Sequence, residues 1–218
     1  MNAYLANNDE LLLLERKLWS EGFVFVAGID EAGRGPLAGP VVAAAVCFNR
    51  DEPVPRVFDS KQVTERDRLA MREAILSAPG VRYAVIEVGP ERVDELNILR
   101  ATDLAMREAA LALGGVDFLL VDGRPVPYLP KPSKSVVGGD AKSASIAAAS
   151  ILAKVYRDEL MVVMAGRYPG YGFELHKGYG TAMHLEALRR LGPCAIHRKS
   201  FGPVRDLIEP PPEQPELF

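Results

Sequence analysis

Two apolar runs separated by a glycine-rich segment constrain the fold of this chain more than any other feature. Residues 23–29 and 41–48 have the composition of buried β-strands. The short connection between them favours antiparallel pairing. Pro40 stands at the entry of the second run, where a strand tolerates proline. The sequence therefore predicts a strand, a loop and a second, antiparallel strand.

The rest of the chain alternates between helix-like and strand-like segments. Helices are predicted at 9–20, 64–77, 98–113, 143–164 and 181–191, and strands at 81–88 and 118–121, with a further strand left open at 135–137. Strands that are separated by helices favour parallel pairing. The predicted fold class is α/β, a mixed β-sheet flanked by helices with a helical C-terminal part.

Length and composition indicate one globular domain. The chain has 218 residues, of which 48% are hydrophobic and 25% charged. No apolar stretch is as long as a membrane span, and Asp9 and Glu10 stand where a signal peptide would be positive. Cys47 and Cys194 form neither a metal-ligand spacing nor a disulfide framework. We therefore expect a cytoplasmic protein, and we expect it to be a monomer.

Charge is distributed unevenly along the chain. The formal net charge is −3, yet residues 123–205 contain 13 Lys or Arg and only 5 Asp or Glu. A basic segment of this kind is typical of a surface that follows a phosphate backbone. On charge alone, a solvated surface without a partner explains the pattern equally well.

Four carboxylates follow or lie on apolar segments. Asp30 and Glu31 end the first apolar run, Asp122 ends a buried strand, and Asp158 shares the apolar face of the long helix. Ligands collect at strand ends in α/β sheets, and a carboxylate on an apolar face is costly unless it is paired or bound to metal. Two alternatives stay open: Asp122 could simply form a turn, and Asp158 could pair with Lys154 one helical turn earlier.

Carboxylates that converge on one point repel each other unless cations neutralise them. Oxygen ligands alone favour Mg²⁺ or Mn²⁺, and His176, His184 and His197 lack the paired spacing of a zinc site. Two such cations can activate a water and stabilise the leaving oxygen in phosphodiester hydrolysis. The sequence therefore predicts a metal-dependent hydrolytic site.

The segment that follows Glu31 indicates a ligand-contacting loop. Gly33 and Gly35 allow the backbone to approach a ligand closely, and Arg34 between them supplies a cation. This composition predicts contact with a phosphate or a sugar beside the metal site.

Seven stretches, in order from about residue 23 to residue 205, match one family. They are Gly28-Ile-Asp-Glu-Ala-Gly-Arg-Gly-Pro-Leu-Ala-Gly-Pro40, Asp59-Ser-Lys61, Val121-Asp-Gly123, Gly139-Asp-Ala-Lys-Ser143, Ile146-Ala-Ala-Ala-Ser-Ile-Leu-Ala-Lys-Val-Tyr-Arg-Asp158, His176-Lys-Gly-Tyr-Gly-Thr181 and His197-Arg-Lys-Ser-Phe201. With these stretches the chain resembles bacterial type 2 ribonuclease H, or ribonuclease HII. The resemblance implies a ribonuclease H-like catalytic domain over residues 1–209.

The resemblance also implies which carboxylates are catalytic. Asp30, Glu31, Asp122 and Asp158 correspond to the family's four metal-binding carboxylates. The implied cofactors are Mg²⁺ or Mn²⁺ ions, two of them when substrate is bound.

Substrate contacts follow from the same resemblance. Gly33, Arg34 and Gly35 resemble the loop that contacts the ribonucleotide 2′-OH, the group that distinguishes RNA from DNA. Tyr179 resembles the tyrosine that packs on the sugar of the following deoxynucleotide. An ordinary, partly buried aromatic residue is the alternative for Tyr179.

Three further residues are predicted to hold phosphates: Lys61, Lys142 and Ser143. Ser143 also begins a helix, where backbone N–H groups favour an anion. For each of the three, a helix cap or a solvated cation is the alternative.

The activity implied by the resemblance is metal-dependent hydrolysis of the RNA strand of RNA–DNA hybrids. The implied cut lies 5′ of ribonucleotides embedded in duplex DNA and leaves 3′-OH and 5′-phosphate ends, which suits ribonucleotide excision repair and DNA replication. A ribonuclease H-like DNA nuclease and a non-catalytic nucleic-acid-binding protein are the alternatives. The carboxylate set argues against the latter, because repelling carboxylates have no use on a phosphate-binding surface without metal.

Residues 210–218 are proline-rich and acidic, which predicts a flexible tail. The terminal Gln214-Pro-Glu-Leu-Phe218 resembles the short peptide by which bacterial replication and repair proteins bind the sliding clamp. Gln214, Leu217 and Phe218 are the predicted partner-binding residues. A chance match is the alternative, because short motifs recur by accident.

Overall fold

The computed structural model describes residues 8–58 and 63–209 and contains a five-stranded mixed β-sheet. The strands are β1 (Val26–Ala32), β2 (Val41–Cys47), β3 (Arg82–Val88), β4 (Phe118–Asp122) and β5 (Ser133–Val136). Their spatial order is β3-β2-β1-β4-β5. The β1–β2 and β2–β3 pairs are antiparallel, whereas the β1–β4 and β4–β5 pairs are parallel.

Helices precede, separate and follow these strands. They are α1 (Asn8–Leu11), α2 (Leu13–Ser20), α3 (Glu65–Ser77), α4 (Pro90–Leu96), α5 (Ile98–Leu113), α6 (Ala144–Arg167), α7 (Phe173–His176), α8 (Ala182–Leu191) and α9 (Gly202–Ile208), with a 3-10 turn at Gly139–Ala141. Among the described helices, none is long and apolar enough to cross a membrane.

The core has two layers, one on each face of the sheet, and strand alternation in β2 shows how they are divided. Val42, Ala44 and Val46 pack with the alanine-rich part of α6, whereas Ala43 and Ala45 pack with α5 on the opposite face. Side chains of successive strand residues point to opposite faces, so an uninterrupted apolar strand can supply both layers. All seven β2 residues are accordingly buried.

Helix α6 lies unusually close to β1. A Cβ atom added to Gly28 would lie only 2.2 Å from the backbone N of Ile146 and the carbonyl C of Ser145. This close approach needs a glycine on the strand and small residues on the helix, which Ala147, Ala148 and Ala149 supply. The packing brings α6 against the strand that ends in Asp30 and Glu31.

The sheet register fixes the position of the carboxylates. Ile29 of β1 pairs with Val121 of β4 in parallel register. The residues that follow, Asp30 and Asp122, therefore stand side by side at the same edge of the sheet. The predicted fold class and the antiparallel first pair are confirmed. Parallel pairing of helix-separated strands is confirmed for β1 and β4 but is wrong for β2 and β3, which pair antiparallel although α3 separates them. The short helices α4, α7 and α9 were not predicted from the sequence.

Candidate active site

Three of the four predicted carboxylates meet at the ends of β1 and β4. Asp30, Glu31 and Asp122 each offer a carboxylate oxygen, and these three oxygens lie within 4.8 Å of one another. Asp30 is 3% exposed, whereas Glu31 and Asp122 are partly exposed. Oxygen ligands at this spacing suit a hard divalent cation.

Asp30 is the electrostatic centre of this cluster. Burial, followed by the charges of Glu31 and Asp122, raises the pKa of Asp30 well above its usual value. The Ser150 hydroxyl of α6 and the backbone N–H of Glu31 hydrogen-bond to Asp30 and act in the opposite direction. The Glu31 N–H donates to Asp30 Oδ1 at 2.7 Å. Three carboxylates held together in this way favour a cation between them, so the donor set fits a divalent metal.

A fourth acid, Asp140, lies beside the cluster and was missed by the sequence analysis. The backbone N–H of Gly139 donates to Asp122 Oδ1 at 2.6 Å, which ties the 3-10 turn to the end of β4. Asp140 follows directly and is only 4% exposed. The matched stretch Gly139-Asp-Ala-Lys-Ser143 contained the signal, but a glycine-rich turn has no periodicity that would single out its acid.

The expected convergence of Asp158 with the other three carboxylates is wrong. Its Oδ1 accepts an ion-pair hydrogen bond from Lys154 Nζ at 2.8 Å, which is the alternative left open above. Ser150 marks where α6 passes Asp30, and Asp158 lies eight residues further on, about 12 Å along the helix axis at 1.5 Å per residue. There Asp158 lines a small cavity with Arg68 and Leu69 of α3.

The glycine-rich loop after β1 is held from behind by two buried arginines. Arg198 donates to the carbonyls of Gly33, Arg34, Pro36 and Gly39 at 2.6 to 2.9 Å. Arg157 donates to the carbonyls of Ala38, Pro40 and Lys177 at 2.9 to 3.0 Å. Burial, and then the nearby Arg157 charge, lower the pKa of Arg198 to about 9.

This role of Arg157 and Arg198 was not predicted from the sequence, where both belong to the basic segment. Within the described residues, the N–H groups of Gly33, Arg34 and Gly35 donate to no protein acceptor. Because Arg198 binds the carbonyls of Gly33 and Arg34, the N–H groups of this segment are available to a ligand.

Gly33 has the conformation and the surroundings that require glycine. Its φ is +88°, and a Cβ there would lie 2.0 Å from Arg157 Nε. At Gly35, an added Cβ would lie 3.7 Å from Cε1 of Tyr179. The structure therefore brings the predicted loop and the predicted tyrosine together. Arg34 Nη1 lies 3.2 Å from Glu31 Oε1, which joins the loop to the carboxylate cluster.

The residues predicted to hold phosphates differ in accessibility. Lys142 is exposed, and its Nζ donates to the carbonyl of Val137 at 2.6 Å. Ser143 is 0% exposed, so its predicted contact with a substrate phosphate is wrong. Its hydroxyl caps α6 and donates to the buried Glu15 carboxylate at 2.6 Å. The anion at this helix N-terminus is thus Glu15 of the chain itself.

The remaining predicted residues lie outside the described ranges. Lys61 falls between residues 58 and 63, and Gln214, Leu217 and Phe218 follow residue 209.

Sequence comparison connects this geometry to a family. The Ribonuclease HII family model matches residues 27–204. The chain is 51% identical to Ribonuclease HII of Chlamydia caviae over 94% of this chain and 99% of the relative. It is 54% identical to Ribonuclease HII of Endomicrobium trichonymphae over 92% of this chain and 96% of the relative.

Solved structures give the same result for the fold. Ribonuclease HII of Archaeoglobus fulgidus, solved as a complex with PCNA, superposes with a TM-score of 0.71 at 27% identity and covers 82% of this chain and 95% of its own. The ribonuclease HIII called Bst-RNase HIII, solved with Mn²⁺, has a TM-score of 0.70 at 18% identity and covers 85% of this chain and 69% of its own. The chain therefore belongs to the ribonuclease HII family and is an endoribonuclease that acts on RNA–DNA hybrids.

Proposed function

We propose that this endoribonuclease cuts the phosphodiester bond on the 5′ side of a ribonucleotide embedded in duplex DNA, leaving 3′-OH and 5′-phosphate ends. One observation carries the proposal: the carboxylates of Asp30, Glu31 and Asp122 are joined through Arg34 to a loop whose N–H groups have no acceptor among the described residues. The cluster suits phosphodiester hydrolysis, and the adjoining loop suits recognition of a ribose next to the scissile bond. Such an activity would serve ribonucleotide excision repair and DNA replication.

We assign the metal ligands to Asp30, Glu31, Asp122 and Asp140. The first three already share one point, and Asp140 is held beside Asp122 by the hydrogen bond from Gly139. These residues would hold Mg²⁺ or Mn²⁺, as two ions when substrate is bound, and the metal would supply an activated water and neutralise charge on the leaving oxygen. Asp30, buried and hydrogen-bonded to the next backbone N–H, orients its carboxylate before any cation binds.

The loop Gly33, Arg34 and Gly35 is proposed to recognise the ribose. Arg198 binds the carbonyls of Gly33 and Arg34 and so fixes the direction of the N–H groups in this loop. A 2′-OH can accept from such an N–H, and a deoxyribose offers no oxygen at that position. The loop would therefore discriminate by a hydrogen bond that only a ribonucleotide can make.

Tyr179 is proposed to contact the sugar that follows the ribonucleotide. Tyr179 is 43% exposed, and its ring adjoins Gly35. A deoxyribose can pack flat on the ring, whereas an added 2′-OH would have to lose hydration there. Lys61 and Lys142 are proposed to bind flanking phosphates.

The proposal is tested with a DNA duplex containing one ribonucleotide and an all-DNA duplex of the same sequence. We expect a cut 5′ of the ribonucleotide in Mg²⁺ or Mn²⁺, no cut in EDTA and no cut of the control. The Asp122→Asn variant should bind the duplex but not cut it. Cutting of the all-DNA duplex would favour a DNA nuclease and contradict the proposed recognition of ribose.

A second partner, the sliding clamp, is proposed for the tail at Gln214, Leu217 and Phe218. The Archaeoglobus fulgidus relative was solved with PCNA, which supports a clamp as partner, and the resemblance of the terminal peptide to clamp-binding peptides is the reason to assign the contact to the tail. Deleting residues 214–218 should abolish co-elution with the bacterial clamp while leaving cleavage of short duplexes unchanged. Co-elution that survives the deletion would contradict this assignment.

A further inference from the structure

Two buried histidines outside the carboxylate cluster form a hydrogen-bonded chain behind Tyr179. The Nε2 atoms of His184 and His197 are 3.1 Å apart. At one end, His184 Nδ1 lies 2.9 Å from the carbonyl O of Tyr179. At the other end, His197 Nδ1 accepts from the backbone N–H of Cys194 at 2.9 Å. His184 is 0% exposed and His197 1%.

The hydrogen bond from Cys194 determines which ring nitrogen carries the proton in both His197 and His184. Because His197 Nδ1 accepts from Cys194 N–H, the proton of a neutral His197 is on Nε2. That Nε2–H must donate to His184 Nε2, so the proton of His184 is on Nδ1 and donates to the Tyr179 carbonyl. Each donor thus meets an acceptor only when both rings are neutral and in these tautomers.

The surroundings keep the two rings neutral. Burial, and then the mutual influence of the histidines, lower the pKa of His197 to about 4. Burial also lowers the pKa of His184. His176 stacks on His184 at 4.5 Å between ring centroids, and Phe173 meets His184 edge-on at 5.4 Å. A proton added to His184 Nε2 would face the Nε2–H of His197 across 3.1 Å, and a proton added to His197 Nδ1 would face the N–H of Cys194 across 2.9 Å.

The backbone of His197 is attached to the loop that adjoins the carboxylates. His197 forms an antiparallel β-bridge with Ala38, and the N–H of the next residue, Arg198, donates to the carbonyl of Leu37 at 2.8 Å. The Arg198 guanidinium holds the Gly33 and Arg34 carbonyls. The histidine chain therefore connects the glycine-rich loop on one side with Tyr179 on the other.

We propose that His184 is a positioning residue that holds the Tyr179 backbone, and with it the ring, at a fixed place relative to the Gly33–Gly35 loop, and that His197 keeps His184 in the tautomer that donates to Tyr179. The two histidines thereby contribute to the preference for a deoxynucleotide after the ribonucleotide. This inference rests on the proposed contact of Tyr179 with the following sugar. Neither imidazole touches substrate, so their effect passes through Tyr179.

Two substitutions of His184 separate this role from a merely structural one. His184→Asn keeps an N–H near Nδ1 for the Tyr179 carbonyl but loses the acceptor for His197. His184→Gln keeps an acceptor near Nε2 but loses the donor to Tyr179. Both variants remove the ring, so they are matched for lost packing.

The readout is the ratio of kcat/KM for a single embedded ribonucleotide to kcat/KM for a continuous RNA–DNA hybrid. We expect His184→Gln to lower this ratio about fivefold, the worth of one neutral hydrogen bond, through KM for the embedded ribonucleotide. His184→Asn should stay within about twofold of the wild type, a difference below one such bond. Equal ratios in both variants, whether unchanged or equally lowered, would overturn the inference.

Two further measurements keep the test decisive. The first is the same ratio for Tyr179→Ala. If Tyr179→Ala leaves the ratio unchanged, the proposed role of Tyr179 fails. If Tyr179→Ala lowers the ratio but His184→Gln does not, only the inference about the histidines fails. In the wild-type protein, ¹⁵N spectra of the imidazoles should show a proton on Nδ1 of His184 and on Nε2 of His197. The opposite tautomers would overturn the inference even if a variant does not fold.

Discussion

At the scale of single residues, the site is governed by negative charge that the described part of the chain does not compensate. Asp30 is buried against Glu31 and Asp122, and these neighbours add to the effect of burial in raising its pKa. Arg34 contacts Glu31 but is half-exposed, and among residues 8–58 and 63–209 no cationic side chain forms an ion pair with Asp30. The metal-free folded state is therefore strained electrostatically at the point where a divalent cation would bind.

The substitution Asp30→Asn should stabilise the metal-free protein. The folded-state pKa of Asp30 is raised, so its contribution to stability is largest at low pH and is lost as the pH rises through that pKa. At pH 8 in EDTA we expect a higher Tm for Asp30→Asn, by about 2–4 °C for each kcal/mol relieved. The gain should shrink on acidification, because wild-type Asp30 then becomes protonated.

Thermal unfolding in EDTA and in Mg²⁺ checks this expectation. Saturating Mg²⁺ should stabilise the wild type more than Asp30→Asn, because the variant has lost a charged ligand. A lower Tm for Asp30→Asn in EDTA at pH 8 would show that Asp30 is not under electrostatic strain.

A pair of substitutions identifies the fourth carboxylate. Asp140→Asn should reduce kcat at least about a hundredfold, as expected when a charged group that supports a metal-assisted step is lost. Asp158→Asn should leave kcat within a few-fold of the wild type, because Asp158 is paired with Lys154 away from the cluster. Single-turnover cleavage of an RNA–DNA hybrid measures both. A large loss in Asp158→Asn with little loss in Asp140→Asn would reverse the assignment.

The sequence could specify three of the site carboxylates because strand ends have a defined place in a sheet. Apolar runs located Asp30, Glu31 and Asp122, and parallel pairing then brought them together. Helical periodicity describes which face Asp158 occupies but not how far along α6 it lies, so the axial separation from the cluster could not be predicted. Ser143 was misassigned for a related reason: its partner, Glu15, is remote in sequence.

At the scale of elements, a buried carboxylate joins α2 to the N-terminus of α6. Glu15 Oε1 accepts from the hydroxyls of Ser143 and Ser145 at 2.6 Å each and from the backbone N–H of Ser145 at 2.9 Å. An anion is favourable at this helix end because the first backbone N–H groups have no partner within the helix. The contact holds α6 beside the turn that carries Asp140.

Glu15→Ala should therefore destabilise the protein well beyond an ordinary change in α2. Removing the shared acceptor leaves two buried hydroxyls and one N–H to find new partners, at an expected cost of about 2–4 kcal/mol. Leu13→Ala is the control: Leu13 is 62% exposed in the same helix, and its replacement should cost less than about 0.5 kcal/mol. Urea unfolding measures both, and equal losses would contradict a specific role for Glu15.

Long elements with a repeated apolar pattern were predicted from the sequence, whereas short elements were not. The helix predicted at 98–113 coincides with α5, and Thr64 caps α3 by accepting from the N–H of Asp67, as its capping-box pattern indicated. Helices α4, α7 and α9 have four to seven residues, too few for a repeated apolar face to be recognised. The first strand was predicted three residues early, because Phe23, Val24 and Phe25 are apolar but precede the sheet.

At the scale of the whole molecule, the basic segment divides into structural and surface charges. Of the 13 Lys or Arg in residues 123–205, Arg157 and Arg198 are buried behind the glycine-rich loop. Because they are buried, these two arginines cannot neutralise the phosphates of a duplex bound at the protein surface. Lys142 is exposed and follows Asp140, at the same edge of the sheet as the carboxylates. Arg50 is also exposed, but it follows β2, whose end lies at the opposite edge because β2 runs antiparallel to β1.

The salt dependence of binding should distinguish these positions. The slope of log K against log salt concentration is negative. Each phosphate contact that is lost reduces the magnitude of this slope by about 0.7–0.9, because fewer counterions are released on binding. Both substitutions are made in the Asp122→Asn variant, which should not cut. We expect Lys142→Ala to reduce the magnitude of the slope by this amount and Arg50→Ala to leave it unchanged. Fluorescence anisotropy with a labelled RNA–DNA hybrid, at constant Mg²⁺, provides the measurement. Equal slopes for the two variants would show that the duplex does not follow the edge of the sheet where the carboxylates lie. A slope of smaller magnitude for Arg50→Ala alone would place the duplex at the opposite edge.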